Sequence, residues 1–291
     1  MKRVWLSVVV QISLVTGSCL DVARAGPASE QSTGAIPFKL LSGYAIQVEG
    51  RMGTREKLKF VIDTGSTDTF VDTALAKNLE ARNETKRLVN MSKVVVVKRV
   101  QVPELQVGPM RVTDLWAYVA DLSHVEASAT HLDAIIGLDV LRREVFWIDY
   151  RVKRVHFSSR VDTKEVWSLE ERQALPVIGI EVQGLPMHLV VDTGALDVEL
   201  YADRLKTKIP EFQIQGRTEF SSTVSGQSSI RWGRVRHGLL GKKRCDFTIL
   251  LVASPPEGFL PGVDGYLGVA ALGVRHILFD FPNGQVGWTN N

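Results

Sequence analysis

Short runs of alternating or continuous apolar residues recur along the chain: Tyr44–Val48, Leu58–Ile62, Val94–Val97, Trp116–Val119, Val177–Val182, Leu189–Val191 and Phe247–Val252. Their length and their wealth of β-branched residues predict strands. Helical periodicity is brief, over Asp72–Leu79, Ala202–Lys206 and the turns after Gly137 and Gly268. Arg151-Val152-Lys153 is placed to join strands 145–150 and 154–157, and Pro282-Asn283-Gly284 carries the Asn-Gly turn signal at a matching place. The pattern predicts an all-β fold with a few short helices.

The chain also repeats itself. Phe60-Val61-Ile62-Asp63-Thr64-Gly65 returns 129 residues later as Leu189-Val190-Val191-Asp192-Thr193-Gly194. Ile135-Ile136-Gly137 follows the first copy, with Gly137 74 residues after Asp63; Tyr266-Leu267-Gly268 follows the second, with Gly268 76 residues after Asp192. Twelve residues beyond each of these glycines stands an acid in an aromatic strand, Asp149 and Asp280. Three landmarks in one order at matched spacings predict two homologous lobes, 37–157 and 176–291. The polar segment 158–175 between them reads as a linker, with Trp167 and Leu169 as apolar anchors.

At the N-terminus, Lys2-Arg3 precede the apolar run Val4–Leu20, and Ala23-Arg24-Ala25 offers a cleavage site. Residues 1–25 therefore read as a signal peptide, and the mature chain as exported, periplasmic or secreted, with no integral membrane span; the alternatives are an uncleaved anchor or a lipid anchor at Cys19. The formal charge of +3 is mostly the leader's. Without it 32 basic and 31 acidic side chains remain, so electrostatics give no case for nucleic acid. Cys245 is then the lone cysteine and cannot close an intramolecular disulfide. The six histidines show no metal-ligand spacing, and P-loop, G-x-S-x-G and G-x-G-x-x-G patterns are absent. No metal or cofactor is expected. The basic run Arg231–Arg244 reads as a solvated hairpin face, or as a dock for an acidic partner or an anionic membrane surface.

The chemistry lies in the duplicated Asp-Thr-Gly. An acid at the end of a buried strand has its pKa raised by desolvation, and Gly two residues on allows another backbone to come close. Two such loops related by an approximate two-fold axis would bring two carboxylates together to share one proton. One then serves as base for water and the other as acid toward a carbonyl.

In these motifs the sequence resembles the aspartic protease clan, and more closely its retropepsin-like branch. The resemblance implies two β-barrel lobes in one chain, catalytic Asp63 and Asp192, and a cleft covered by a hairpin flap. It implies support of the loops by Thr64, Gly65, Ser66, Thr193, Gly194 and Ala195, with Thr64 and Thr193 cross-bonding. A hydroxyl at Ser66 would make Asp63 the more acidic of the pair. Asp68 and Asp197 stand where a residue contacts substrate backbone, and each could instead cap the following helix. Phe70 either lines a pocket or packs in the core. The flap tip of the second lobe falls at Ser222–Ser229 with Gly226 in the turn; the corresponding Leu88–Val102 has neither Gly nor aromatic. The expected substrate is a peptide or protein, cleaved by a monomer on the acid side of neutrality. The rival reading is a non-catalytic peptide-binding module on the same fold.

Overall fold

The computed structural model describes residues 5–6, 34–90, 93–125, 131–172, 174–208, 218–223, 226–253 and 260–290. Apart from Trp5–Leu6, which pair in parallel with Ser221–Ser222, the leader lies outside them. The described chain is predominantly β, with four short α-helices, Thr73–Ala76, Leu138–Leu141, Ala202–Lys208 and Val269–Leu272. The all-β expectation is met.

The strands form two sheets. In the first half, Ala35–Leu41, Ala45–Met52 and Arg55–Ile62 run as an antiparallel meander. Arg55–Ile62 then pairs in parallel with Ala134–Ile136, Phe60 opposite Ala134 and Ile62 opposite Ile136. The second half repeats the arrangement: Leu175–Val182 pairs antiparallel with Leu185–Asp192, which pairs in parallel with Gly265–Gly268. Because residues of one strand alternate between faces, these registers carry the strand ends, and the acids on them, to equivalent places.

The two halves meet in a shared sheet. Phe146–Asp149 takes Val274–Asp280 as its antiparallel neighbour, with Phe146 opposite Phe279 and their rings stacked at 5.0 Å. Segment 158–175 is woven into this framework more than a linker would be. Glu165–Ser168 pairs with Gln285–Trp288, and Trp167 stacks on Trp288 at 5.5 Å. Glu170–Arg172 pairs with Leu175–Val177. The alternation that puts the Trp167 ring inward is what makes a strand of a polar stretch.

Each half also carries a long hairpin. Glu80–Asn90 returns as Lys93–Val107, and Thr218–Thr223 returns as Gly226–Leu240, with Thr223 opposite Gly226. Gly226 thus opens the returning strand; residues 224–225, the rest of the expected flap turn, lie outside the described residues.

Candidate active site

Asp63 follows directly on the buried strand end Phe60-Val61-Ile62, and Asp192 closes the strand Leu185–Asp192; both aspartates are fully buried. Neighbouring strands fix the loops that follow. The Asp63 amide donates to the Ile136 carbonyl (3.0 Å), and in the second half Asp192 pairs with Gly268. Each carboxylate closes its own turn: Gly65 N donates to Asp63 Oδ1 (2.9 Å), and Gly194 N to Asp192 Oδ1 (2.6 Å).

The loops touch. A Cβ on Gly65 would stand 2.4 Å from Asp192 Cγ, and one on Gly194 2.9 Å from Asp63 Oδ1. This close approach is what glycine at the third position permits. The threonines bond reciprocally across the gap. Thr64 Oγ1 donates to the Val191 carbonyl and Thr193 Oγ1 to the Ile62 carbonyl, both at 2.8 Å. Thr64 N donates to Thr193 Oγ1 (3.1 Å) and Thr193 N to Thr64 Oγ1 (3.0 Å). Three buried groups of each half, a carbonyl, an amide and a hydroxyl, are thereby satisfied by the other.

Burial pushes both acids up, and each acts on the other. Asp192 is raised to about 6, while Asp63 goes well above its ordinary value through desolvation and then through the charge of Asp192. Like charges this close in a dry site hold one proton between them. Ser66 was to favour a charged Asp63, yet its Oγ donates to the Asp68 carbonyl (2.7 Å) and closes the loop. Ala195, its counterpart, is buried, with its carbonyl against Gly268.

Other expected site residues divide. Asp68 is half-buried and accepts from Thr67 Oγ1 (2.7 Å); the following helix is capped by Asp72, whose Oδ1 accepts from Ala74 N (2.7 Å). Capping is therefore not the task of Asp68. Asp197 is nearly buried, and its carbonyl accepts from Gly268 N (3.0 Å). Phe70 is in the core, its ring 5.7 Å from that of Tyr118. Burial pushes the half-buried Cys245 thiol up, which keeps it unreactive.

One repeated device includes Asp133, which its place beside a motif strand marks as structural, and Asp264, which the sequence does not single out. Asp133 Oδ2 accepts from Lys59 N (2.8 Å) while Asp133 N donates to the Lys59 carbonyl (2.9 Å). Asp264 does the same with His188, both bonds 2.8 Å, and also accepts from Lys208 Nζ (2.7 Å). Each clamp ties the hydrophobic-hydrophobic-Gly strand to the strand that leads to its aspartate. The signal was present: Asp133 and Asp264 each stand four residues before the paired glycines Gly137 and Gly268.

Residues 46–140 match the sequence family described as aspartyl protease. The matched stretch contains Asp63-Thr64-Gly65 and Ile135-Ile136-Gly137, so it carries a peptidase reading for the first half of the site. No match was found among curated proteins. A surface cavity of about 730 Å³ lined by Lys39, Glu49, Arg51, Lys57 and Lys59 includes neither aspartate. Converging buried carboxylates, not cavity size, mark the site.

Proposed function

We propose that the chain is an exported aspartic endopeptidase of two lobes, active as a monomer, that hydrolyses peptide bonds with Asp63 and Asp192 acting on one water. The observation that carries this reading is the meeting of two fully buried Asp-Thr-Gly loops, cross-bonded through their threonines. A pure binding surface gains nothing from two mutually repelling buried acids. In the proposed reaction the charged carboxylate takes a proton from water as the oxygen attacks the peptide carbonyl. The protonated one gives its proton to the developing oxyanion. The amide then breaks as the leaving nitrogen is protonated. The absence of a transmembrane-length apolar helix among the described residues fits the exported part of the reading, and the leader of residues 1–25 supplies its basis.

The reacting pair needs one proton, so its pH window lies between the two values of the pair. Burial raises both carboxyls, so the rate climbs as the first proton leaves the pair and falls when the second leaves at higher pH. Full burial thus moves the expected window up from the acid range. The test is cleavage of a diverse peptide library by residues 26–291 from about pH 3 to 8, alongside Asp63→Asn and Asp192→Asn. Both variants are isosteric and are expected to fold and to lose cleavage by at least about a thousandfold. Full activity in either variant refutes the dyad. A folded wild type that binds peptides without cutting them supports the binding module instead.

A further inference from the structure

Beyond its threonine, the loop after Asp63 is held by an acid that the second half lacks. The turn that opens helix Leu138–Leu141 packs directly on residues 66–69. Leu138 N donates to the Ser66 carbonyl (2.8 Å) and Asp139 N to the Thr67 carbonyl (3.1 Å). The Asp139 side chain returns the contact. Its Oδ1 accepts from Thr69 Oγ1 (2.7 Å) and its Oδ2 from Thr69 N (3.1 Å), while Thr69 Oγ1 accepts from Gly137 N (3.3 Å). The second half makes the same close approach: a Cβ would stand 2.4 Å from the Asp68 carbonyl oxygen at Gly137 and 2.7 Å from the Asp197 carbonyl oxygen at Gly268. Yet the positions that match Thr69 and Asp139 in the repeat are Val198 and Ala270. The fold therefore closes this turn without needing the acid.

The surroundings of Asp139 disfavour its charge. Burial first, and then the charge of Asp68, push the Asp139 carboxyl up to about 7, against the two Thr69 bonds and the charge of Arg143. Arg143, just past the helix, also donates from Nε to the Asp139 carbonyl (2.9 Å). Asp68 is itself raised by burial, while Thr67, Lys86 and Arg99 act the other way. Lys86 and Arg99 belong to the long first-half hairpin, and Arg99 lies 5.7 Å from the ring centroid of Tyr118 on strand Met110–Ala120. The Tyr118 phenol is pushed up to about 12, by burial and then by Asp68, and stays neutral. A neutral Asp139 still makes both contacts to Thr69: one oxygen accepts from the amide, and the Thr69 hydroxyl rotates to accept from the other. As an anion it keeps two acceptors but adds a buried like charge near Asp68.

We propose that Asp139 is a positioning residue for the Asp63 loop, and a proton-dependent one: as a neutral acid it seats Thr69 on the Gly137 turn, and as an anion near Asp68 it loosens that seat. It acts through Ser66–Thr69, the continuation of the Asp63 turn, and does not touch the reacting atoms. The proposal rests on the peptidase reading for its effect on cleavage, though not for its effect on stability. A carboxyl raised in the folded chain costs nothing below its ordinary value. Its contribution is lost as the pH climbs from about 4 through about 7.

Thermal melts from about pH 4 to 9 compare the wild-type chain with Asp139→Asn, which keeps the shape and cannot charge. The two are expected to coincide near pH 4 and to separate as the pH rises, with the variant melting about 5 °C or more higher at pH 8. Carbon-13 titration of the Asp139 carboxyl should find its midpoint near 7 and move it down by roughly one unit in Asp68→Asn. In peptide cleavage, Asp139→Ala removes both bonds at every pH and is expected to lower kcat about tenfold, with KM within twofold. Asp139→Asn should recover most of that rate, and its kcat relative to the wild type should rise several-fold from about pH 6 to 8. Melting curves that coincide at every pH, with an Asp139 midpoint in the ordinary carboxylate range, overturn the proposal. So does a kcat ratio of Asp139→Asn to wild type that stays constant with pH, because the acid would then be structural only. If titration and melts behave as expected but the wild type cuts no peptide, the seating stands and the peptidase reading falls.

Discussion

At the scale of single residues the site is decided by what is missing as much as by what is present. Gly65 and Gly194 have no side chain where the opposite aspartate stands, and the two positions are not equally tight. A Cβ at 65 would meet three Asp192 side-chain atoms at 2.4–2.7 Å, whereas one at 194 would meet Asp63 at 2.9–3.0 Å. The second clash can be relieved by a few tenths of an ångström, but the first requires the loops to part. Gly65→Ala is therefore expected to destabilise by about 1–3 kcal/mol. Displacing the aspartates also costs activity, on the order of a hundredfold. Gly194→Ala should lose visibly less of both. Thermal melts and peptide cleavage on the two variants check the order, and equal effects would mean that the loops do not meet as described.

At the scale of elements, the repeated strand, loop and hydrophobic-hydrophobic-Gly strand acts as one unit, and the threonine cross-bonds couple two such units. Thr64→Val removes the donor to the Val191 carbonyl and the acceptor for Thr193 N. Thr193→Val does the same in mirror fashion. Each change strands buried backbone groups and should cost about 1–3 kcal/mol. Because both changes break one shared network, the double variant is expected to fall short of the sum by roughly 0.5–3 kcal/mol in chemical denaturation. Strict additivity would mean that the loops are held independently. Much of this unit was legible in the sequence, since Asp-Thr-Gly, the paired glycines and their spacings are local patterns that the repeat makes conspicuous. The Asp133 and Asp264 clamps were equally local, yet their meaning depended on the partners Lys59 and His188 across a parallel pairing. The Ser66 hydroxyl failed as a guide for a related reason: a short side chain in a tight turn finds a carbonyl two residues away before it finds the carboxylate.

At the scale of the whole molecule, neither half closes its own structure. Phe146 of the first half packs on Phe279 and Phe281 of the second, and Val274–Asp280 supplies the neighbour for Phe146–Asp149. Phe157 lies on the other side of the same stack. Segment 158–175, which looked like a connection, adds Glu165–Ser168 to the far edge of this sheet and seals it with Trp167 on Trp288. A chain cut to residues 34–157 would leave Phe146 and Ile148, both fully buried in the intact protein, on an unpaired sheet edge. It would also leave the Ile62 carbonyl and Thr64 N without the partners that Thr193 provides. Exposed apolar edges of this kind aggregate or pair with copies of themselves. The fragment alone is therefore expected to lack a cooperative thermal transition and near-ultraviolet dichroism. Mixing it with residues 158–291 should restore both, along with the Asp192 titration near 6 that full burial imposes. A fragment that melts cooperatively alone, with Asp63 still raised, would show that burial within one half is enough to set that acid. The coupling of the aspartates to the shared sheet would then be incidental. A fragment that regains its structure only in the mixture would show that one set of interfaces both folds the halves and creates the low-dielectric site in which two carboxylates share a proton.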